Sequence, residues 1–156
     1  MPRTADRRSP LTVLVVDDFP DGLDLVAEYL AFRGFTVLTA TNGAEALTVV
    51  RERKPQVVLM DLSMPGVDGW EATRRIKADP ATRDVIVIAV TAHALANESR
   101  RALDAGCDGF IAKPFDLAAL ADALPRFLTH GKSALNVAGL NQTAALRRPR
   151  RGSEPA

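Results

Sequence analysis

The stretch that most constrains this chain is VVLMDLSMPGVDGW, residues 57 to 70. Four apolar residues (Val57, Val58, Leu59 and Met60) run directly into Asp61, and a Pro65-Gly66 turn follows. A run that apolar suits a strand buried on both faces, as in a parallel sheet. An unpaired carboxylate buried there would cost several kcal/mol or be forced to stay protonated. The charge of Asp61 therefore has to be explained by what the rest of the chain brings to it.

Two patterns alternate along the chain. LTVLVV (11–16), FTVLT (35–39), VVLM (57–60), VIVIAV (85–90) and GFIA (109–112) are short and rich in β-branched residues, and most are too apolar for half-exposed strands. Segments with helical spacing lie between and after them. Leu23, Val26, Ala27 and Leu30 mark the first; Ala46, Leu47 and Val50 the second; Leu117, Leu120, Ala121, Leu124 and Leu128 the last. The third and fourth, WEATRRIKAD and NESRRALDAG, are more polar, and Gly106 is a plausible stop for the fourth. Five βα units predict an α/β domain, a parallel sheet covered by helices on both faces.

With 156 residues the chain is long enough for one sizeable domain and short for two. No apolar run approaches the roughly 18 residues of a membrane span, and MPRTADRRSP lacks the apolar core of a signal peptide. The single Cys107 rules out an internal disulfide, so a reducing compartment, the cytoplasm, is expected. Net charge is +1 but unevenly spread: residues 1–10 carry +2 and residues 129–156 carry +4, which leaves −5 for residues 11–128. The expected organisation is a short arm (1–10), an acidic domain (11–128) and a basic, mostly disordered tail (129–156), with a short helix at most around 143–148.

In such a fold, ligands collect at the carboxyl ends of the strands. Asp17 and Asp18 end the first run, Asp61 the third, Thr91 the fourth, and Lys113-Pro114 the fifth. Each has an ordinary reading alone: helix capping for the Asp pair, a turn residue, a strand residue, a solvated charge. Together they bring three carboxylates, one hydroxyl and one ammonium to one edge. Carboxylates packed this closely repel, and a hard divalent cation such as Mg²⁺ removes the conflict. Asp61 could then stay ionised and act as an oxygen nucleophile toward phosphorus, with Thr91 and Lys113 holding the other phosphoryl oxygens.

DD (17–18), MDLSMPGVDG (60–69), VTA (90–92) and GFIAKPF (109–115) resemble the receiver domain of bacterial two-component response regulators over about residues 11 to 128. The resemblance implies a flavodoxin-like (βα)5 sheet of strand order 2-1-3-4-5. It implies Asp61 as phosphoacceptor, and Mg²⁺ held by Asp17, Asp18, Asp61 and the backbone carbonyl of Ser63, with Asp18 direct and Asp17 through water. Thr91 matches the switch hydroxyl, Lys113 the family lysine, Pro114 a residue after a cis peptide bond, and Phe110 the switch aromatic. Ser63 and His93 stand at positions that tune the lifetime of the acyl phosphate in this family.

The partners so implied are a sensor histidine kinase or a histidine phosphotransfer protein, and a downstream protein that reads the surface around Phe110. The chain is expected to be a signalling switch rather than an enzyme, a monomer or weak dimer, without membrane contact. A phosphorelay intermediate or phosphate sink is the alternative. An aspartyl phosphatase would want a D-x-D motif after the first strand, where this chain has an adjacent pair, and no Gly-rich phosphate loop favours a nucleotide site. No fused output domain follows the receiver unless the chain is a fragment. Arg147, Arg148, Arg150 and Arg151 invite a nucleic-acid reading. Their run is short, lacks aromatics and hangs from an acidic domain, so sequence-specific binding is not expected. The tail is expected to be a solvated terminus or a tether, dispensable for phosphorylation and Mg²⁺ binding.

Overall fold

The computed structural model describes residues 10–62, 69–91, 100–101, 104–113 and 115–130. Ser63, His93, Pro114, residues 1–9 of the arm, residues 131–156 of the tail and half of the fourth helical segment lie outside the described residues, while the first two residues expected in the tail, 129 and 130, belong to the last helix. The elements in chain order are β1 (Thr12–Val16), α1 (Pro20–Phe32), β2 (Thr36–Ala40), α2 (Gly43–Arg53), β3 (Val57–Asp61), α3 (Gly69–Ala78), β4 (Ile86–Thr91), β5 (Gly109–Ala112) and α4 (Leu117–His130). Arg100, Arg101 and Asp104 are also helical.

All five strands are parallel, in the order β2-β1-β3-β4-β5, as the resemblance implies. Burial explains the order. β3 and β4 are buried at every residue and take central places, while β2 and β5 are only partly buried and lie at the edges. Alternate residues of the central strands feed two separate cores. Leu14, Val16, Val58, Met60, Val87 and Ala89 pack under α2 and α3, against Ala46, Val50 and Ile76. Val13, Val15, Val57, Leu59, Ile86 and Ile88 pack under α1 and α4, against Leu23, Leu30, Leu120 and Leu124. Side chains buried this fully contribute about 1.5–3 kcal/mol each, so both faces of the sheet are anchored and its strand ends are held rigid.

Local signals set the element ends. Asn42 caps α2 by accepting the Glu45 N–H at 2.8 Å, and Glu45 reaches back to the Thr41 N–H at 2.8 Å. α1 starts with Pro20 and closes with Gly34 at φ 100°, the Phe35 N–H bonding the Leu30 carbonyl at 3.1 Å. That closure commits Phe35 to the helix end, so β2 begins at Thr36 and runs to Ala40, one residue later than FTVLT. β3 and β4 each extend one residue past their apolar runs, because backbone pairing does not stop where hydrophobicity does. No described helix is long and apolar enough to cross a membrane.

Candidate functional site

Four strand ends converge on one edge of the sheet. Asp17 follows β1 directly, and its N–H still bonds the Ala40 carbonyl at 3.1 Å, so the β1–β2 pairing carries one residue beyond the strands. Its carboxylate is buried, and Oδ1 accepts the Phe19 N–H at 2.9 Å, turning the chain into α1. Asp17 thus shapes the entry to the helix, but the cap position itself belongs to Phe19, which offers no side-chain bond. Asp18, the next residue, is exposed.

Asp61 is the last residue of β3, opposite Val90 of β4, and only 5% exposed. Pairing continues past it, with the Leu62 N–H on the Val90 carbonyl at 3.0 Å. Thr91 ends β4, buried, and its carbonyl accepts the Lys113 N–H at 2.8 Å. Asp17, Asp61, Thr91 and Lys113 are therefore mounted at the last rungs of the sheet, not on free loops.

The Lys113 ammonium lies 3.4 Å from Asp17 Oδ2 and 3.7 Å from Asp61 Oδ2. Ligand oxygens of Asp17, Asp18 and Asp61 all fall within 4.8 Å of one another. Three carboxylates against one ammonium leave a local charge of −2. An all-oxygen donor set of that charge fits a hard divalent cation in size and sign.

The backbone of Asp61 is clamped from behind. A Cβ on Gly69 would sit 2.5 Å from the Asp61 carbonyl oxygen and 3.0 Å from Leu62 Cα, so α3 starts against the backbone of β3 only because residue 69 has no side chain. Trp70 follows, buried, with the Arg101 guanidinium 4.4 Å over its ring. Phe110 is half-buried on β5, opposite Ala89, and packs against the α2/α3 core.

The sheet thus brings together Asp17, Asp18, Asp61 and Lys113, and sets Thr91 on the strand between those of Asp61 and Lys113. Two features were not read from the sequence. One is the role of Gly69, a contact between residues eight apart. The other is a cleft of about 350 Å³ beside the site, apolar along Phe19, Leu25, Val26 and Phe115, with Asp17, Asp61 and Lys113 at its polar end. An aromatic residue directly after the acidic pair was the one available signal for it.

The comparisons with known proteins agree with this geometry. A family model described as a response regulator receiver domain matches residues 13–125. The polar-differentiation response regulator DivK of Brucella anthropi is 35% identical over 126 residues, which cover 81% of this chain and 97% of that protein. The sensor histidine kinase RcsC of Salmonella typhi is 39% identical over 122 residues, 78% of this chain, and the chain spans only 13% of that kinase. Among solved structures, the chemotaxis protein CheY4 of Vibrio cholerae superposes with a TM-score of 0.71 at 26% identity, covering 75% of this chain and 98% of that one. With order, spacing and fold in agreement across at least three quarters of its length, the chain belongs to the receiver domain family of two-component response regulators.

Proposed function

We propose that this receiver is a switch driven by phosphorylation of Asp61. The donor is a phosphohistidine on a sensor histidine kinase or a histidine phosphotransfer protein. An Asp61 carboxylate oxygen attacks phosphorus, the P–N bond breaks, and its electron pair returns to the donor imidazole. The product is an acyl phosphate carrying one more negative charge than the carboxylate it replaces.

The observation that carries this reading is the position of the Lys113 ammonium, within 4 Å of both Asp17 and Asp61. It supports a fixed positive charge beside the atom that gains negative charge, which costs no reorganisation during transfer. Asp17, Asp18 and Asp61, with the Ser63 carbonyl, would hold Mg²⁺. That ion would supply neutralisation of the phosphoryl oxygens and relief of carboxylate repulsion. Burial of Asp61 at the end of a rigid strand limits the nucleophile to one approach, and Gly69 keeps its backbone in place.

Signalling follows from the two neighbouring strands. The Thr91 hydroxyl turns toward the new phosphoryl oxygens, and the Phe110 ring fills the space it leaves. The surface around Phe110 then presents a different shape to a downstream protein. This is a local charge change biasing a two-state element.

The test is labelling with acetyl phosphate and Mg²⁺, mapped by mass spectrometry. Wild type should gain one phosphoryl group, at Asp61, and lose the reaction in EDTA. Asp61→Asn should gain none while its circular dichroism stays unchanged, the replacement being nearly isosteric. Full labelling of that variant at a single other site would discard Asp61 as the acceptor.

A further inference from the structure

The −5 charge of residues 11–128 is concentrated in one place. Asp17, Asp18, Asp21, Asp24 and Glu28 supply five carboxylates with no cation among residues 17–32, while residues 33–128 balance at 12 basic and 12 acidic side chains. Asp21, Asp24 and Glu28 are exposed and fall at i, i+3 and i+7, forming one acidic stripe along α1. Beside it, Gly22, Leu25, Tyr29 and Phe32 form an apolar stripe. Leu25 is 62% exposed, Phe32 82%, and Phe19 at the head of the helix 60%. These are the exposed large hydrophobic residues among those described, and all three are on or beside α1. The cleft beside Asp61 opens onto the same stripe through Phe19, Leu25 and Val26. An apolar strip edged by acid on a monomer's surface marks an interaction site, and it calls for an occupant that is apolar and basic.

The chain carries such a segment. Residues 144–151 read AALRRPRR, three apolar residues followed by four arginines in five positions. Its reach fits as well. α4 begins at Leu117, which lines the cleft, and its 14 residues carry the chain about 20 Å away by His130. Thirteen residues separate His130 from residue 144, and a chain of that length has a root-mean-square reach of about 20 Å. A tether matched to its gap gives an effective concentration in the millimolar range, so even a weak contact is populated.

We propose that residues 144–151 dock along α1, with Leu146 at the mouth of the cleft and the arginines against Asp21, Asp24 and Glu28. The C-terminal segment is then more than a solvated tether. It is then an internal ligand of the apolar face along α1. Because charge steers the contact and apolar area holds it, the docking weakens with salt but is not abolished by it.

A single spin label tests this on the full chain. Cys107 is buried and its thiol is pushed up to about 12 by that burial, so at neutral pH a Ser153→Cys variant takes the label at position 153 alone. Amide signals of residues 18–32 should broaden severalfold more than those of α3 at low ionic strength. The preference should shrink with added salt and vanish when Arg147, Arg148, Arg150 and Arg151 are changed to Glu. Leu146→Asp should weaken it while leaving the arginines in place. Uniform broadening, or none, would overturn the proposal. So would broadening that appears only when labelled chains are mixed with isotope-enriched unlabelled ones, since a second copy would then be the occupant.

Discussion

Helices α1 and α3 cover opposite faces of one sheet, and their charges are arranged in contrary ways. Along α3 the charges are spoken for. Glu71 accepts from Arg75 at 2.8 Å and Arg74 at 3.1 Å, which together hold its carboxyl below the usual carboxylate range. Lys77 gives all three of its protons to defined acceptors: the Arg83 carbonyl at 3.0 Å, the Val85 carbonyl at 2.6 Å and Asp108 Oδ2 at 2.7 Å. Asp108 in turn takes the Val87 N–H at 2.9 Å. Along α1, by contrast, three acids face solvent in a row with no base on the helix and apolar side chains left uncovered. Balanced charge on α3 braces the sheet; unbalanced charge on α1 is available for recognition.

That contrast can be broken at its structural end first. Lys77→Met takes the cation from the buried Asp108 carboxylate and a donor from two backbone carbonyls, and should cost about 3–5 kcal/mol. Urea melts would show it as a lower midpoint at an unchanged slope. The folded fraction should still be labelled at Asp61 by acetyl phosphate, because the pair lies away from the acceptor edge. If labelling falls in proportion to more than the unfolded fraction, α3 is not merely a brace.

The functional end makes the opposite prediction. Lys113→Ala removes the ammonium beside Asp61 but leaves two carboxylates that are not deeply dependent on it, since its side chain is 37% exposed. Labelling should slow by roughly tenfold or more, with the melting midpoint nearly unmoved. A variant that labels normally would remove Lys113 from the proposed role, and one that unfolds would move it to the structural side.

How much of this was legible before folding depends on how local each signal was. The strands announced themselves through β-branched runs, and the acidic pair, Asp61, Thr91 and Lys113 through their place at the ends of those runs. These are one-dimensional features, and the sheet order turned them into one site. Lys77 and Asp108 stand 31 residues apart and had no visible connection. Nor could spacing reveal that Gly106, read as a helix stop, also leaves room for Lys77, whose Cγ would lie 3.0 Å from a Cβ there. The α1 stripe was partly legible: its acids were counted in the net charge, but which side chains stayed uncovered required knowing where α4 packs.

Cys107 probes the core beneath α3 by pH. Burial pushes its thiol from about 9 to about 12, with a partial opposing effect from the Thr73 hydroxyl 4.0 Å away. The native state therefore holds the proton that the unfolded chain gives up. Stability from this group is fully present below about pH 9 and is lost as pH rises toward 12. Comparing wild type with Cys107→Ala cancels the other titrating groups. The wild type should lose stability faster across that window, and iodoacetamide should leave the folded protein unmodified at pH 8. Parallel pH profiles would mean that the thiol is not shielded.

The smallest expected effect lies where the two sides meet. Arg101 stacks on Trp70, so one exposed cation covers the ring next to Gly69, at the start of α3 behind Asp61. A cation–π contact at an exposed site is worth about 0.5–1 kcal/mol, and Arg101→Ala should lower stability by no more than that. Removing the guanidinium uncovers one face of an indole that is otherwise 5% exposed. Trp70 is the only tryptophan in the chain, so its emission should move to the red without ambiguity of assignment. Arg101→Lys should recover part of the stability and less of the emission, because a compact ammonium covers the ring poorly. If Arg101→Ala leaves the emission unchanged, the stack does not persist in solution. If it instead slows labelling of Asp61, then Gly69, wedged between Trp70 and the acceptor backbone, transmits the position of that helix to the chemistry, and the division between a bracing α3 and a recognising α1 gives way at that point.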